Sequence, residues 1–331
     1  MSHHVSFDKN HPSPWVRWKQ HLTQDGLCGA LGWAANWVYW NGQLYRIEIV
    51  KRDLRWKLGI DDLRLLYKSR RRSKKYGITN PIIVYQMGKV GSTSMFRSLK
   101  ALDLDVPVYQ LHFLTELKEV ETWARNTLRD PKRANRAVKR ARHVRHMMQA
   151  DPQIRWNLIS MVRSPVPRLI SSFWENIESN VPQFQERFDR GQLSAQEIID
   201  IFRKAPPHDW ASYWYNRQLK SVFDLDVFAE PFDREKGYQI YEGAKARLLL
   251  IRLEDLNRIV QPALEEFLGI PGFVVSDRNV GEQKKHGKIY HEFLDQLRLP
   301  TDFIESENQT SYALHFYTPA ELEASVRRWR E

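Results

Sequence analysis

The stretch "IIVYQMGKVGSTSMFRSLK", Ile82 to Lys100, decides how the rest of the chain reads. Ile82–Tyr85 is a short apolar, mostly β-branched run, the pattern of a buried strand. A turn holding Gly88, Lys89 and Gly91 follows. Then come three hydroxyls, Ser92, Thr93 and Ser94, and Met95, Phe96, Leu99 and Leu102 at helical spacing. Such a junction leaves the first helical N–H groups without partners, at the positive end of the dipole. The glycines let backbone come close to a ligand and Lys89 adds charge, so phosphate or sulfate is the natural guest. The turn is not the nucleoside-triphosphate loop, which needs Lys directly before Ser or Thr at the helix start. Here Lys89 precedes Gly91. An ordinary Gly-containing strand-to-helix turn is the competing reading.

Working outward, strands are expected at Val108–Phe113, Trp156–Val162 and Leu248–Arg252, with helical patterns between them. One such pattern, Val138, Ala141, Val144 and Met148, lies among Arg129, Lys132, Arg133, Arg136, Lys139, Arg140, Arg142 and Arg145. It reads as a helix with an apolar stripe and a strongly basic face. Strands alternating with helices predict an α/β domain: a parallel sheet with helices on both faces, and ligands beyond the carboxyl ends of its strands.

Upstream, residues 1–80 read as a separate, mostly helical extension joined at Asn80-Pro81 to a main domain of 81–331. Half of the twelve tryptophans lie there: Trp15, Trp18, Trp33, Trp37, Trp40 and Trp56. The basic run "KSRRRSKK", Lys68–Lys75, closes the extension. Packing on the main domain is the favoured role for these tryptophans, ahead of peripheral attachment to a membrane surface.

With 331 residues, 42% hydrophobic and 27% charged, the chain has the composition of a soluble globular protein. Its formal charge of +11 favours an anionic partner. Cys28 is the only cysteine, which excludes an internal disulfide or a cysteine-based metal site. No metal is expected, and a cytoplasmic location, peripheral to the membrane if the extension docks there, is the corresponding expectation. Charge alone leaves nucleic acid open, but no recognition motif supports it.

A second signal is "NLISMVRSPVPRLISSFWEN", Asn157 to Asn176. Arg163 ends an apolar strand, Pro165 and Pro167 open a helix, and Ser171 lies eight residues after Arg163. A strand-end guanidinium and a helix hydroxyl can converge on one phosphate, and the planar fork of Arg suits that task. Together the two segments resemble the sulfotransferases that use 3'-phosphoadenosine 5'-phosphosulfate. The resemblance implies a P-loop-like sheet of sulfotransferase type. It implies that Lys89, Gly91, Ser92, Thr93 and Ser94 hold the 5'-phosphosulfate, and that Arg163 and Ser171 hold the 3'-phosphate. "NVGEQKKHGKIYHEF", Asn279 to Phe293, resembles a third cofactor element, with Lys284, Lys285 and Gly287 as contacts. "WYNRQLKSVFDLDVF", "PFDREKGYQIY", "LLLIRLEDL" and "ALHFYTPAEL" are similar to bacterial capsular polysaccharide synthesis proteins.

The resemblance implies sulfuryl transfer to an acceptor hydroxyl, most naturally on a carbohydrate and plausibly an anionic one. Lys89 would neutralise charge on the bridging and leaving oxygens. His112, in "VYQLHFLTEL", is the expected general base, with Glu116 in reserve. Trp210, Tyr213, Trp214 and Tyr215 offer faces for a sugar ring, though helical spacing makes core packing the default. A P-loop-like kinase and a non-catalytic anion-binding scaffold in polysaccharide assembly are the rival readings.

Overall fold

The protein is described by a computed structural model covering residues 76–127, 131–204, 210–275 and 286–330. The chain divides into two compact units, Met1–Arg71 and Arg72–Glu331, and all described residues fall in the second. The tryptophan-rich stretch and the basic run therefore lie outside the described residues, as do Arg129, Lys284 and Lys285.

Five strands make one sheet: β1 (Ile82–Tyr85), β2 (Val108–Leu111), β3 (Trp156–Val162), β4 (Tyr238–Glu242) and β5 (Ala246–Arg252). Their order is β2-β1-β3-β5-β4. The first four strands in that order run parallel, with Val84 level with Gln110 and with Ile159. β4 is antiparallel to β5, which corrects the expectation of a wholly parallel sheet. The reason is the connection: only residues 243–245 separate β4 from β5, and the Gly243 N–H closes the turn on the Ala246 carbonyl at 2.9 Å. A parallel crossover needs about a dozen residues or more.

β1 and β3 have the predicted bounds, whereas β2 stops at Leu111 instead of Phe113. Its last ladder bond runs from the Gln86 N–H to the Leu111 carbonyl. The next carbonyl, of His112, accepts the Trp214 indole N–H at 2.8 Å and so leaves the ladder.

Side-chain alternation puts helices on opposite faces of the sheet. On one face Gln110 reaches the start of α1 (Ser92–Ala101). On the other Tyr85 meets α8 (Trp210–Trp214), which runs on as a π-helical stretch, Tyr215–Lys220, and a last turn, Ser221–Phe223. Gln218 explains why the π-helical turn is tolerated. Its Oε1 accepts the Tyr85 hydroxyl at 2.5 Å and the Leu114 N–H at 2.9 Å, and its Nε2 donates to Thr115 Oγ1 at 3.2 Å. Every polar atom of this buried amide is satisfied.

α2 (Leu117–Thr127) and α3 (Pro131–Ala150) connect β2 to β3, and α3 buries Ala141 and Val144 as its pattern predicts. α4 (Pro165–Glu175) follows β3, and the short α5 (Ile177–Asn180) and α6 (Phe184–Asp189) lead to α7 (Ala195–Arg203). After the sheet come α9 (Leu256–Leu268), α10 (Gly287–Gln296), α11 (Thr301–Asn308), α12 (Ser311–Phe316) and α13 (Pro319–Trp329).

Apolar burial falls into two clusters. The larger contains the sheet, α1, α3, α8, α9 and α12. The smaller is helical, with Val166, Ile170 and Phe173 of α4 packed among Ile198, Phe202, Ile289, Phe293, Ile304 and Trp329.

Candidate anion and acceptor site

The turn after β1 lies at the carboxyl edge of the sheet, as predicted, but its glycines divide the work differently. Gly91 has φ 90 and caps α1. The left-handed conformation therefore favours glycine here, and a Cβ, at 2.9 Å from Leu253 Cδ1, would also displace the end of that side chain. Gly88 has ordinary backbone and open space around it. The second left-handed residue is Lys89, at φ 73. This backbone, rather than the spacing of two glycines, forms the turn.

The N-cap of α1 is Gly91, which has no side chain to cap the helix. Gln110 Nε2 donates to Ser92 Oγ at 2.9 Å and to Thr93 Oγ1 at 3.4 Å, which fixes both hydroxyls. Ser94 is buried. The Lys89 ammonium is paired with Glu175 of α4 at 3.0 Å. Sequence reasoning foresaw neither Gln110 nor Glu175, because each partner comes from a different element.

Arg163 meets this loop directly. Its Nη1 donates to the Lys89 carbonyl at 3.2 Å. The Tyr312 hydroxyl holds the Arg163 backbone from both sides, accepting from its N–H and donating to its carbonyl, each at 2.8 Å. The adjacent Ser164 N–H donates to Glu254 at 2.7 Å. Burial pulls the Arg163 pKa down and the nearby Glu254 charge opposes that shift. An arginine stays cationic at neutral pH regardless. Ser171 is half-buried on α4, which follows Arg163, and no hydrogen bond joins the two among the described residues. Gly287 is the first residue of α10, and Tyr290, one turn further on, lies near Arg163.

α4 also buries Arg168, only 5% exposed, close to the phenols of Tyr215 and Tyr312. No carboxylate contacts it among the described residues, and its Nε has no hydrogen-bond partner. An uncompensated buried cation is costly. It adds positive potential behind the Arg163 strand end.

His112 lies beyond β2, level with Gln86. Its Nδ1 donates to the Gln86 carbonyl at 2.8 Å, which leaves Nε2 as the lone-pair nitrogen, without a partner among the described residues. Burial is the main cause holding its pKa below the usual histidine value, with the positive charges of Lys89 and Arg140 adding to it. The ring is therefore neutral near pH 7. The Gln86 side chain is fully buried with both polar atoms unpartnered. Glu116 is exposed at the start of α2 and its charge bears on Arg217.

Of the four proposed sugar-facing aromatics, Trp214 and Tyr215 are core residues. Their rings contact Tyr85, Tyr312 and Phe316, so they present no free face. Tyr213 is 54% exposed, and its ring lies 5.4 Å from that of Trp210. Ring contacts continue from Trp210 through Phe113 and Trp123 to His112.

Among the described residues, no three His, Cys, Asp or Glu side chains gather as a metal site, and no helix is long and apolar enough to cross a membrane.

These features define a mixed α/β protein with a five-stranded, mostly parallel sheet and a cationic cluster at its carboxyl edge. Residues 193–318 match the family described as "NKWYS: Putative capsular polysaccharide synthesis protein". That segment runs from the residues before α7 through α12 and includes the π-helical turn, β4 and β5. No curated protein and no solved structure matches the chain.

Proposed function

We propose that this protein transfers a sulfuryl group from 3'-phosphoadenosine 5'-phosphosulfate to a carbohydrate hydroxyl in polysaccharide assembly. The observation that carries the reading is the Arg163–Lys89 hydrogen bond. It joins the strand-end arginine to the loop at the α1 N-terminus, so two groups suited to two phosphates share one edge of the sheet. The residues present suit such a donor: the α1 N-terminus, Lys89, Arg163 and the buried Arg168, whose Nε has no hydrogen-bond partner among the described residues. The match to a polysaccharide synthesis family over 193–318 supports a saccharide acceptor.

The donor supplies an electrophilic sulfur whose bridging bond to the 5'-phosphate breaks as the acceptor oxygen bonds to it. His112 Nε2 takes the hydroxyl proton, its Nδ1–H held on the Gln86 carbonyl. Lys89 exchanges Glu175 for the 5'-phosphate oxygens and balances the charge they gain on leaving. Arg163 anchors the 3'-phosphate, with Ser171 as a second donor from the helix that follows it. Positioning and electrostatics supply the rate, as in phosphoryl transfer.

The test is transfer of radiolabelled sulfate to a panel of glycans, with calorimetric titration of 3'-phosphoadenosine 5'-phosphate. Label in a glycan together with product binding supports the reading. Binding of ATP in preference to the bisphosphate would overturn it and favour a kinase.

A further inference from the structure

The loop of residues 224–237, which leads into β4, faces α12 across an open pocket of about 680 Å³. Phe228 and Leu314 give it apolar walls, and Asp233, Arg234, Glu235 and His315 give it polar ones. The Arg234 guanidinium is already occupied at the end of α12. Its Nε donates to the His315 carbonyl at 3.1 Å and its Nη2 to the Leu314 carbonyl. Carboxylates are then the polar groups left for a ligand. Asp233 accepts the Lys236 N–H at 2.9 Å through Oδ1 alone. The Glu235 carboxylate has no hydrogen bond or ion pair among the described residues. Both side chains are exposed, as is Leu314. In a chain of formal charge +11, this pocket is acidic and rich in acceptors. It lies by the same sheet edge as Arg163. The Arg234 carbonyl accepts Arg252 Nη1 at 3.4 Å, and Arg252 is level with Val162 at the ends of β5 and β3. α12 stands between the two places, with Tyr312 on the Arg163 backbone and Leu314 and His315 on the pocket.

We propose that this pocket binds uncharged sugar units of a saccharide chain, apart from the anion site. A ligand here must bring hydrogen-bond donors and an apolar face. Sugar hydroxyls donate to Asp233 and Glu235 in charge-assisted bonds, while the C–H face of a pyranose covers Phe228 and Leu314. An acidic sugar would meet the two carboxylates as like charges. A basic peptide would also answer those charges. The saccharide is favoured because every lining residue falls within 193–318, the segment matched to a polysaccharide synthesis family. The inference rests on the saccharide part of the reading above and not on sulfuryl transfer. The pocket then holds the chain at a point separate from the reacting hydroxyl.

The test titrates the full chain by calorimetry with maltotetraose, cellotetraose and N-acetylated chitotetraose, at one fixed ionic strength. A galacturonate tetramer and tetralysine are the charged counterparts. At least one neutral tetramer should bind. Glu235→Ala should weaken it about tenfold, the scale of a hydrogen bond to a charged group. Leu314→Ala should weaken it about fivefold through lost apolar contact. Both side chains are exposed, so both variants should keep the wild-type thermal midpoint. Both should bind 3'-phosphoadenosine 5'-phosphate as the wild type does. Binding of none of the three neutral tetramers, or affinity unchanged in both variants, overturns the proposal. So does a matching loss of bisphosphate binding, which would merge the pocket with the donor site. A galacturonate tetramer weakened equally by Glu235→Ala overturns the uncharged class. Tetralysine that outbinds the saccharides and is itself weakened in Glu235→Ala overturns the proposal in favour of a basic peptide. A wild type that binds a neutral tetramer through this pocket but not the bisphosphate supports the pocket and counts against sulfuryl transfer. One that binds the bisphosphate alone overturns the pocket and leaves the transfer reading standing.

Discussion

Glu175→Gln should tighten binding of 3'-phosphoadenosine 5'-phosphate. Glu175 holds the Lys89 ammonium at 3.0 Å, so a phosphate can use that charge only after displacing the carboxylate. The Glu175 side chain is 50% exposed and that of Lys89 23%, which makes this a surface pair. Such pairs are worth about 0.2–1 kcal/mol. Losing the competitor should therefore raise affinity about 1.5- to 5-fold. The gain should shrink in high salt, because the screening length falls from about 10 Å at 0.1 M to about 3 Å at 1 M. Calorimetry on wild type, Glu175→Gln, Lys89→Ala and the double variant measures the coupling directly. The Glu175 substitution should do nothing once Lys89 is gone. If Glu175→Gln binds the bisphosphate no better than wild type, Lys89 is not where a phosphate sits, and its pairing with Glu175 is structural.

Arg163→Ala should weaken the bisphosphate by about 1.5–3 kcal/mol in the same titration, the range for a hydrogen bond to a charged group. His112→Ala should bind it normally and lose about 10²–10⁴ in transfer rate. Because burial and two nearby cations depress the His112 pKa, the wild-type rate should hold down to a pH below the ordinary histidine value of about 6.5. The same shift has a stability sign: the unfolded ring takes its proton first, so stability drops as pH falls below about 6.5 and through the folded pKa. A wild-type acid limb above 6.5, or one that persists in His112→Ala, would assign the base elsewhere. Gly91→Ala should cost about 1–2 kcal/mol in a denaturant titration from left-handed backbone alone, before its 2.9 Å approach to Leu253 is relieved. Gln218→Leu should cost more than Tyr85→Phe, because it strands the Tyr85 hydroxyl, the Leu114 N–H and Thr115 together.

What could be read from sequence follows from where the signal is local. β1 and β3 are continuous apolar runs, and their bounds came out to the residue. β4 did not stand out, since "YQIYE" is short and half exposed, and its direction is set by a three-residue turn. The π-helical turn has no local signature at all; it exists because Gln218 is gripped by residues about 100 or more positions away. At the site, Lys89 and Arg163 were legible as residue types at strand ends. Their joining was not, nor were Glu175, Gln110, Tyr312 and Glu254, each contributed by another element. For Trp214 and Tyr215 the default reading of helical spacing, a buried face, holds, and the alternative sugar-facing role does not.

The helix that follows Arg163 packs in the smaller apolar cluster but starts where β3 leaves the larger one. Its entrance is tied to the sheet side through Tyr312 and Glu254, while Val166, Ile170 and Phe173 are embedded in the helical side. Local openings of the two sides would otherwise be separate events with separate free energies. A phosphate gripped by Arg163 and the α1 N-terminus pins this helix and merges them. Amide hydrogens of α7, which holds none of the candidate site residues, should then exchange more slowly when the bisphosphate is bound. The ligand would act as a rivet between two cooperative units, and the slowing would spread along α4 rather than around the pocket.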